Sequence, residues 1–294
     1  MTTWTAASLL AEIAAIGRNE DGSYSRFCLR PEEVALREWF VAKATELGLA
    51  IVTDANANIW AWWGTPGPDD VLLEASCFVE LHVEQGRGLA DLGHPVAIAT
   101  AVRPHGRWRA EFTGQGNHAG TTLIPDRHDP VVPVAQTILA AREAAEREGC
   151  VTTVGRINVE PGGTNVIASA ATMWLDCRAE ESQTVTKVVE NIQQASETAA
   201  DKQGCQVVWT RESWTDRTAF DLRARMLQIL GEDIPQLSTG AGHDAATLAT
   251  TMPTGMLFVR NPTGASHCPA ESASDADCEA GAEALQTVLE ELVK

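Results

Sequence analysis

Between residues 104 and 215, strand-like and helix-like patterns alternate in an order that few folds accommodate. Residues 107–113 read as a strand, followed by a helical stretch opening at Asp129-Pro130, with Asp placed to cap and Pro at the first helical position. Two strands follow, at 152–159 and 172–177. A second helix over 182–202 carries Val185, Val188, Val189, Ile192, Ala195 and Ala199 on one stripe, and a strand at 206–211 closes the unit. The order β-α-β-β-α-β is the ferredoxin-like pattern.

The flanking segments read as a second, discontinuous α/β region. Residues 32–47 place Leu36, Phe40, Ala44 and Leu47 at helical spacing, and Gly48 is a natural stop. Strands are expected at 51–53 and 58–63 around an Asp-Ala-Asn turn, then a loop over 64–70, a strand at 71–73 and another at 78–84. After residue 216 come a helix, a turn at Gly240-Ala241-Gly242-His243-Asp244-Ala245, a strand at 255–260 and a last helix. Ser274 is expected to cap that helix, with Asp277 at the capping-box position. The simplest architecture is two α/β domains, residues 1–103 with 216–294, and an inserted 104–215.

Composition narrows the partners. The 294 residues carry 22 basic and 40 acidic side chains, a net charge of −18, which disfavours nucleic acid and anionic lipid. A carboxylate substrate remains compatible, since a local Arg and His cluster can reverse the field within one cleft. No run approaches the roughly 18 apolar residues of a membrane span, and residues 5–17 read as an amphipathic helix. Seven cysteines without a Cys-x-x-Cys pair suggest reduced thiols and a cytoplasmic protein.

The histidines are the candidate chemistry. Period-2 alternation in Phe78-Val79-Glu80-Leu81-His82-Val83-Glu84 puts Glu80, His82 and Glu84 on one face. His267 sits in Gly264-Ala265-Ser266-His267, a loop after an apolar strand. His118 precedes Gly120-Thr121-Thr122, and Asn165 follows Gly162-Gly163, where the backbone can approach a ligand closely. Arg178 ends a strand and could fork onto a carboxylate. On spacing alone a lone strand histidine is usually a hydrogen-bonded core residue, and His118 a surface turn residue. His94 and His128 read as solvent-facing turn residues. His243 reads equally as a helix-start histidine or as part of a site's rim.

Taken in order, Glu80-Leu81-His82-Val83-Glu84-Gln85-Gly86, Gly116-Asn117-His118-Ala119-Gly120, Gly162-Gly163-Thr164-Asn165 and Gly264-Ala265-Ser266-His267 resemble the M20-type metal-dependent amidohydrolases. That group comprises N-carbamoyl-L-amino-acid hydrolase, allantoate amidohydrolase and β-ureidopropionase. The resemblance implies a homodimer that hydrolyses linear amides or ureides with two divalent ions, zinc or manganese, per subunit. It implies that His82 and His267 bind one ion each and face a common pocket. His118 reaches across the dimer to stabilise charge on the substrate carbonyl. Asn165 and Arg178 hold the substrate carboxylate, and His105 and Gln85 contact substrate. It makes 1–103 with 216–294 a catalytic-type domain and 104–215 a lid or dimerisation domain.

The resembled family also carries several βα units between the strand at 71–73 and the strand at 78, on the order of a hundred residues at ~30 per unit. Its remaining metal ligands and catalytic glutamate lie upstream of the His82 strand. Here the two strands are five residues apart, residues 1–77 contain no histidine, and their one Glu-Glu pair, Glu32-Glu33, starts a helix. Asp69, Asp70 and Glu74 are the nearby carboxylates. The alternative expectation is therefore a catalytically impaired homologue, a dimeric module that binds carboxylates or ureides.

Overall fold

The structure, a computed structural model, describes residues 4–64 and 77–294. The expected strand at 71–73, together with Asp69, Asp70 and Glu74, lies outside the described residues. In chain order the elements are α1 (Ala6–Ile13), α2 (Pro31–Glu46), β1 (Ala50–Thr53), β2 (Ile59–Trp62), β3 (Phe78–Val83), α3 (Gly88–Leu92) and β4 (Val96–Val102). Next come β5 (His105–Thr113), β6 (Asn117–His118), α4 (Val131–Glu148), β7 (Val151–Glu160), β8 (Val166–Ile167), β9 (Ala170–Arg178), α5 (Ser182–Lys202) and β10 (Gln206–Thr215). The chain ends with β11 (Thr218–Ala219), α6 (Arg223–Leu230), β12 (Gln236–Thr239), α7 (Asp244–Leu248), β13 (Thr254–Val259) and α8 (Asp275–Leu292).

The chain divides into two compact units. The first holds Met1–Thr100, Phe220–Leu237 and Thr247–Lys294; the second holds Ala101–Ala219 and Ser238–Ala246.

In the first unit β13 is buried along its whole length, as expected of an apolar strand covered on both faces. It pairs in parallel with β3, Phe258 opposite His82, and antiparallel with β4, Leu257 opposite Ile98. Ile98, Leu257, Met226 and Val288 form its core, and α8 packs against the sheet at Gly281. A Cβ at Gly281 would lie 2.5 Å from Val259 Cγ2, so only glycine permits that approach. Ser274 accepts a hydrogen bond from the Asp277 N–H and caps α8. Asp277 is buried and bound by both Nε and Nη2 of Arg260.

The second unit contains a four-stranded antiparallel sheet in the order β10-β5-β9-β7, with α4 and α5 in the crossovers. The α5 stripe Val185, Val188, Val189 and Ile192 packs on Trp108, Leu175 and Cys177, with Ala141 and Ala144 of α4. Burial alternates along β5 and β9: Gly106, Trp108, Ala110 and Phe112 point inward. The opposite face presents His105, Arg107, Arg109 and Glu111 of β5, and Trp174, Asp176 and Arg178 of β9. Strands run longer than the apolar pattern indicated, because polar residues such as His105 and Arg178 continue the ladder on the open face. The α4 start also differs from expectation. Pro130 occupies the capping position itself, and Asp129 accepts from the Val131 N–H at 3.0 Å, so the helix begins one residue later. His94 is half-buried rather than solvent-facing, because its Nδ1 donates to the Val96 carbonyl at 3.0 Å. Among the described residues, no helix is long and apolar enough to cross a membrane.

Candidate active site

On β3 the alternation holds for Glu80 and His82, which share a face. A carboxylate oxygen of Glu80 and a ring nitrogen of His82 lie within 4.8 Å of each other, close enough to bind one ion together. His82 Nδ1 lies 2.7 Å from the Val83 carbonyl oxygen. A carbonyl only accepts, so Nδ1 carries the proton and the neutral ring keeps its lone pair on Nε2, the arrangement of a metal-ligating imidazole. Glu84 takes a different part from the one its place in the alternation suggested. Its two carboxylate oxygens accept from the N–H groups of Gly88 and Leu89 at 2.7 and 2.9 Å, capping α3. Gln85, half-buried, follows directly.

His267 is carried by a loop that Asn261 organises. The Asn261 side chain is fully buried; its oxygen accepts from Thr263 N, Thr263 Oγ1 and Gly264 N, and its amide donates to the Ala265 carbonyl. His267 itself is exposed and left-handed at φ +56°, a conformation costing a non-glycine residue roughly 1–3 kcal/mol. Its N–H donates to Glu271 at 2.8 Å, which holds it there. His267 lines a cavity of about 700 Å³ with Asp21, Ser23, Tyr24 and Glu271. His82 lines a different cavity, of about 410 Å³, with Leu9, Leu10, Val259 and Cys278, so the common pocket expected for the two histidines is not what the structure shows: the two linings share no residue.

In the second unit, the residues expected to contact substrate fall into two groups. His105 and Arg178 are direct cross-strand partners on β5 and β9. Arg178 is already engaged: Nε and Nη2 donate to the two oxygens of Asp176 at 2.7 and 3.0 Å, and Nη1 donates to the Gly240 carbonyl. The hydrogen bond with Asp176 holds the guanidinium pKa above its usual range. Burial alone would raise the Asp176 pKa, but the hydrogen bonds and charges of Arg178 and Arg107 outweigh it and keep the carboxylate below the ordinary range. The Nε edge of the guanidinium is therefore filled, which leaves the remaining Nη protons for any further acceptor.

The second group is built on the β6–β8 ribbon, where His118 pairs with Val166 and the Ala119 N–H donates to the Asn165 carbonyl at 3.1 Å. Both side chains are exposed. His118 Nδ1 accepts from the Gly120 N–H at 3.1 Å, so the neutral ring keeps its proton on Nε2. His105 and Arg178 stand at one end of the β5–β9 pair and the ribbon at the other. At ~3.3 Å per residue, the eight steps of β5 from His105 to Thr113 span roughly 25 Å, and His118 follows five residues on in the chain.

His243 is buried just before α7, with Nε2 3.4 Å from Thr239 Oγ1, which also accepts from the Ala241 N–H. Glu80 is the acidic side chain that sequence reasoning placed on the correct face without giving it a role. Its spacing from His82 was the available signal.

The chain is 37% identical over 216 residues to N-carbamoyl-L-amino acid amidohydrolase of Geobacillus stearothermophilus, covering 71% of this chain and 52% of that one. It is 28% identical over 228 residues to allantoate amidohydrolase of Escherichia coli, covering 74% and 55%. The chain thus spans about half the length of the curated relatives it matches. Its fold is similar to that of a hydantoinase/carbamoylase family amidase from Burkholderia ambifaria, with a TM-score of 0.82 at 21% identity over 97% of each chain. The model of peptidase family M20/M25/M40 matches residues 64–291, and the chain belongs to that family.

Proposed function

We propose that the chain is a metal-dependent hydrolase of carbon–nitrogen bonds in linear amides and ureides, acting on N-carbamoyl amino acids or allantoate-like substrates. The observation that carries this reading is the Glu80–His82 pair, a carboxylate beside an imidazole whose Nε2 holds the lone pair. That donor set fits zinc or manganese. Glu80, His82 and His267 are the residues proposed to hold the divalent ions, and His243 is the further imidazole to be tested as a ligand. When bound, such ions polarise the scissile carbonyl and acidify water.

The chain's own residues supply the rest. His118 presents Nε2–H, a donor for the oxygen on which charge develops as the carbonyl is attacked. Arg178 offers its remaining Nη protons to the substrate carboxylate, with His105 alongside and Gln85 and Asn165 as further contacts. The separation of the Arg178 and His118 groups along β5 supports a dimer in which one substrate meets Arg178 of one protomer and His118 of the other. Residues 104–215 would then serve as the lid and dimerisation domain.

The test is direct. Purified protein is assayed for bound metal, then incubated with N-carbamoyl-L-amino acids and with allantoate under added zinc or manganese. Release of ammonia or free amino acid supports hydrolysis; no release above blank rejects it. The absence of any histidine from residues 1–77 favours a second reading, a dimeric carboxylate- or ureide-binding module without turnover. Substrate binding by calorimetry with no product formed would select it.

A further inference from the structure

The geometry points to Arg127 as a positioning residue that sets the protonation pattern of His118, an inference whose catalytic consequence rests on the role proposed for His118. The turn after β6 is tied to itself at its base, where Thr122 donates to the His118 carbonyl through both N–H and Oγ1, at 3.2 and 2.8 Å. Those bonds close the loop, and neither involves the peptide between Ala119 and Gly120. Arg127 holds that peptide. Its Nη2 donates to the Ala119 carbonyl at 2.6 Å and its Nε to the Thr122 carbonyl at 3.1 Å, so one rigid planar group clasps both sides of Gly120.

The Ala119 carbonyl and the Gly120 N–H belong to the same peptide plane. In a trans peptide they point in opposite directions, so fixing the carbonyl on the guanidinium fixes where the N–H points. It points at His118 Nδ1, 3.1 Å away. The permanent positive charge of the guanidinium beside the carbonyl also polarises the amide and strengthens it as a donor. With Nδ1 occupied as an acceptor, the neutral imidazole must keep its hydrogen on Nε2. A guanidinium seven positions beyond Gly120, whose N–H donates to the ring, thus selects the tautomer of an exposed imidazole. Without Arg127 the plane can turn over, Nδ1 loses its donor, and the ring samples both tautomers.

The test reads the ring itself. Protein labelled with nitrogen-15 is examined by long-range proton–nitrogen correlation at neutral pH, where the nitrogen shifts of His118 report which atom carries hydrogen. The wild type should show Nε2–H as the dominant form. Arg127→Ala should give averaged shifts from a tautomer mixture, with His82 and His105 unchanged as controls for folding. Added guanidinium ion should move His118 back, and Arg127→Lys, which can reach only one of the two carbonyls, should fall between. An unchanged His118 pattern in Arg127→Ala overturns the inference. In turnover, Arg127→Ala should lower kcat by roughly tenfold with little change in KM, within the range of a small misplacement of a reacting group. It should have no further effect in a His118→Ala background. Full turnover by His118→Ala would sink the catalytic role of that ring, while the nitrogen shifts would still decide whether Arg127 sets its tautomer.

Discussion

His82 on β3 and His118 on β6 are the same residue type on short strands, yet their backbones prepare them for opposite chemistry. At His82, Nδ1 faces the carbonyl of the next residue, which accepts its hydrogen bond, so the proton stays on Nδ1 and the neutral ring has its lone pair on Nε2. At His118, Nδ1 faces an amide N–H two residues on, which donates to it and leaves Nε2 a proton to offer. In the roles proposed for them, one ring would bind a cation and the other would stabilise an anion. The difference shows that a nearby main-chain group, more than the imidazole or its burial, decides which half of the chemistry a histidine can serve.

The contrast is broken most decisively at His82. His82→Ala is expected to lower divalent-metal affinity by at least about 100-fold, beyond the loss typical of residues that only support a ligand, and Glu80→Gln to lower it by less. Metal content after dialysis, by mass spectrometry, measures both. Full occupancy in His82→Ala would remove the ligand role. His118→Ala should leave metal content intact and instead lower kcat by ~10²–10³, the usual loss for a donor to a developing oxyanion. A metal loss there would erase the distinction between the two rings.

The same contrast predicts who shares a site with whom. Arg178→Ala removes hydrogen bonds to a charged group, worth about 1.5–3 kcal/mol, and should raise KM for carboxylate substrates about ten- to a hundredfold. If Arg178 of one protomer and His118 of the other serve one substrate, mixing His118→Ala with Arg178→Ala should regenerate about a quarter of wild-type activity, since half the dimers are mixed and each holds one intact site. Additive residual activity without recovery would place both groups on the same protomer.

Much of this was legible beforehand because it follows backbone periodicity. The α5 stripe located a helix whose bounds, Ser182–Lys202, match the pattern, and period-2 alternation placed Glu80 and His82 on one face. What sequence could not give was the use of each polar side chain once the chain had folded. Glu84 shares the parity of Glu80 and His82, yet it lies just past the end of β3 and caps α3. Arg178 was legible as a fork, but Asp176, its neighbour on the same strand face, already fills one edge of that fork. The tautomers of His82 and His118 depend on main-chain groups whose direction no side-chain pattern encodes.

The smallest expected effect isolates that last pairing. The Asp176 pKa lies below the ordinary aspartate value, so its ion pair with Arg178 stabilises the fold fully above that value and is lost as pH falls through the lower, folded one. The window is therefore acidic, below about pH 4, and neutral pH leaves the pair intact. Asp176→Asn should cost about 1 kcal/mol at pH 7, less than a fully buried charged bond, because Arg178 keeps its bond to the Gly240 carbonyl and both side chains are partly exposed. It should also flatten the decline in stability on the acid side, measured by urea unfolding between pH 3 and pH 7. Because the substitution frees the Nε edge of the guanidinium, KM for a carboxylate substrate should fall or hold steady while the fold weakens. A KM that rises with the loss of stability would show that Asp176 aims Arg178 at the substrate and does not compete for it.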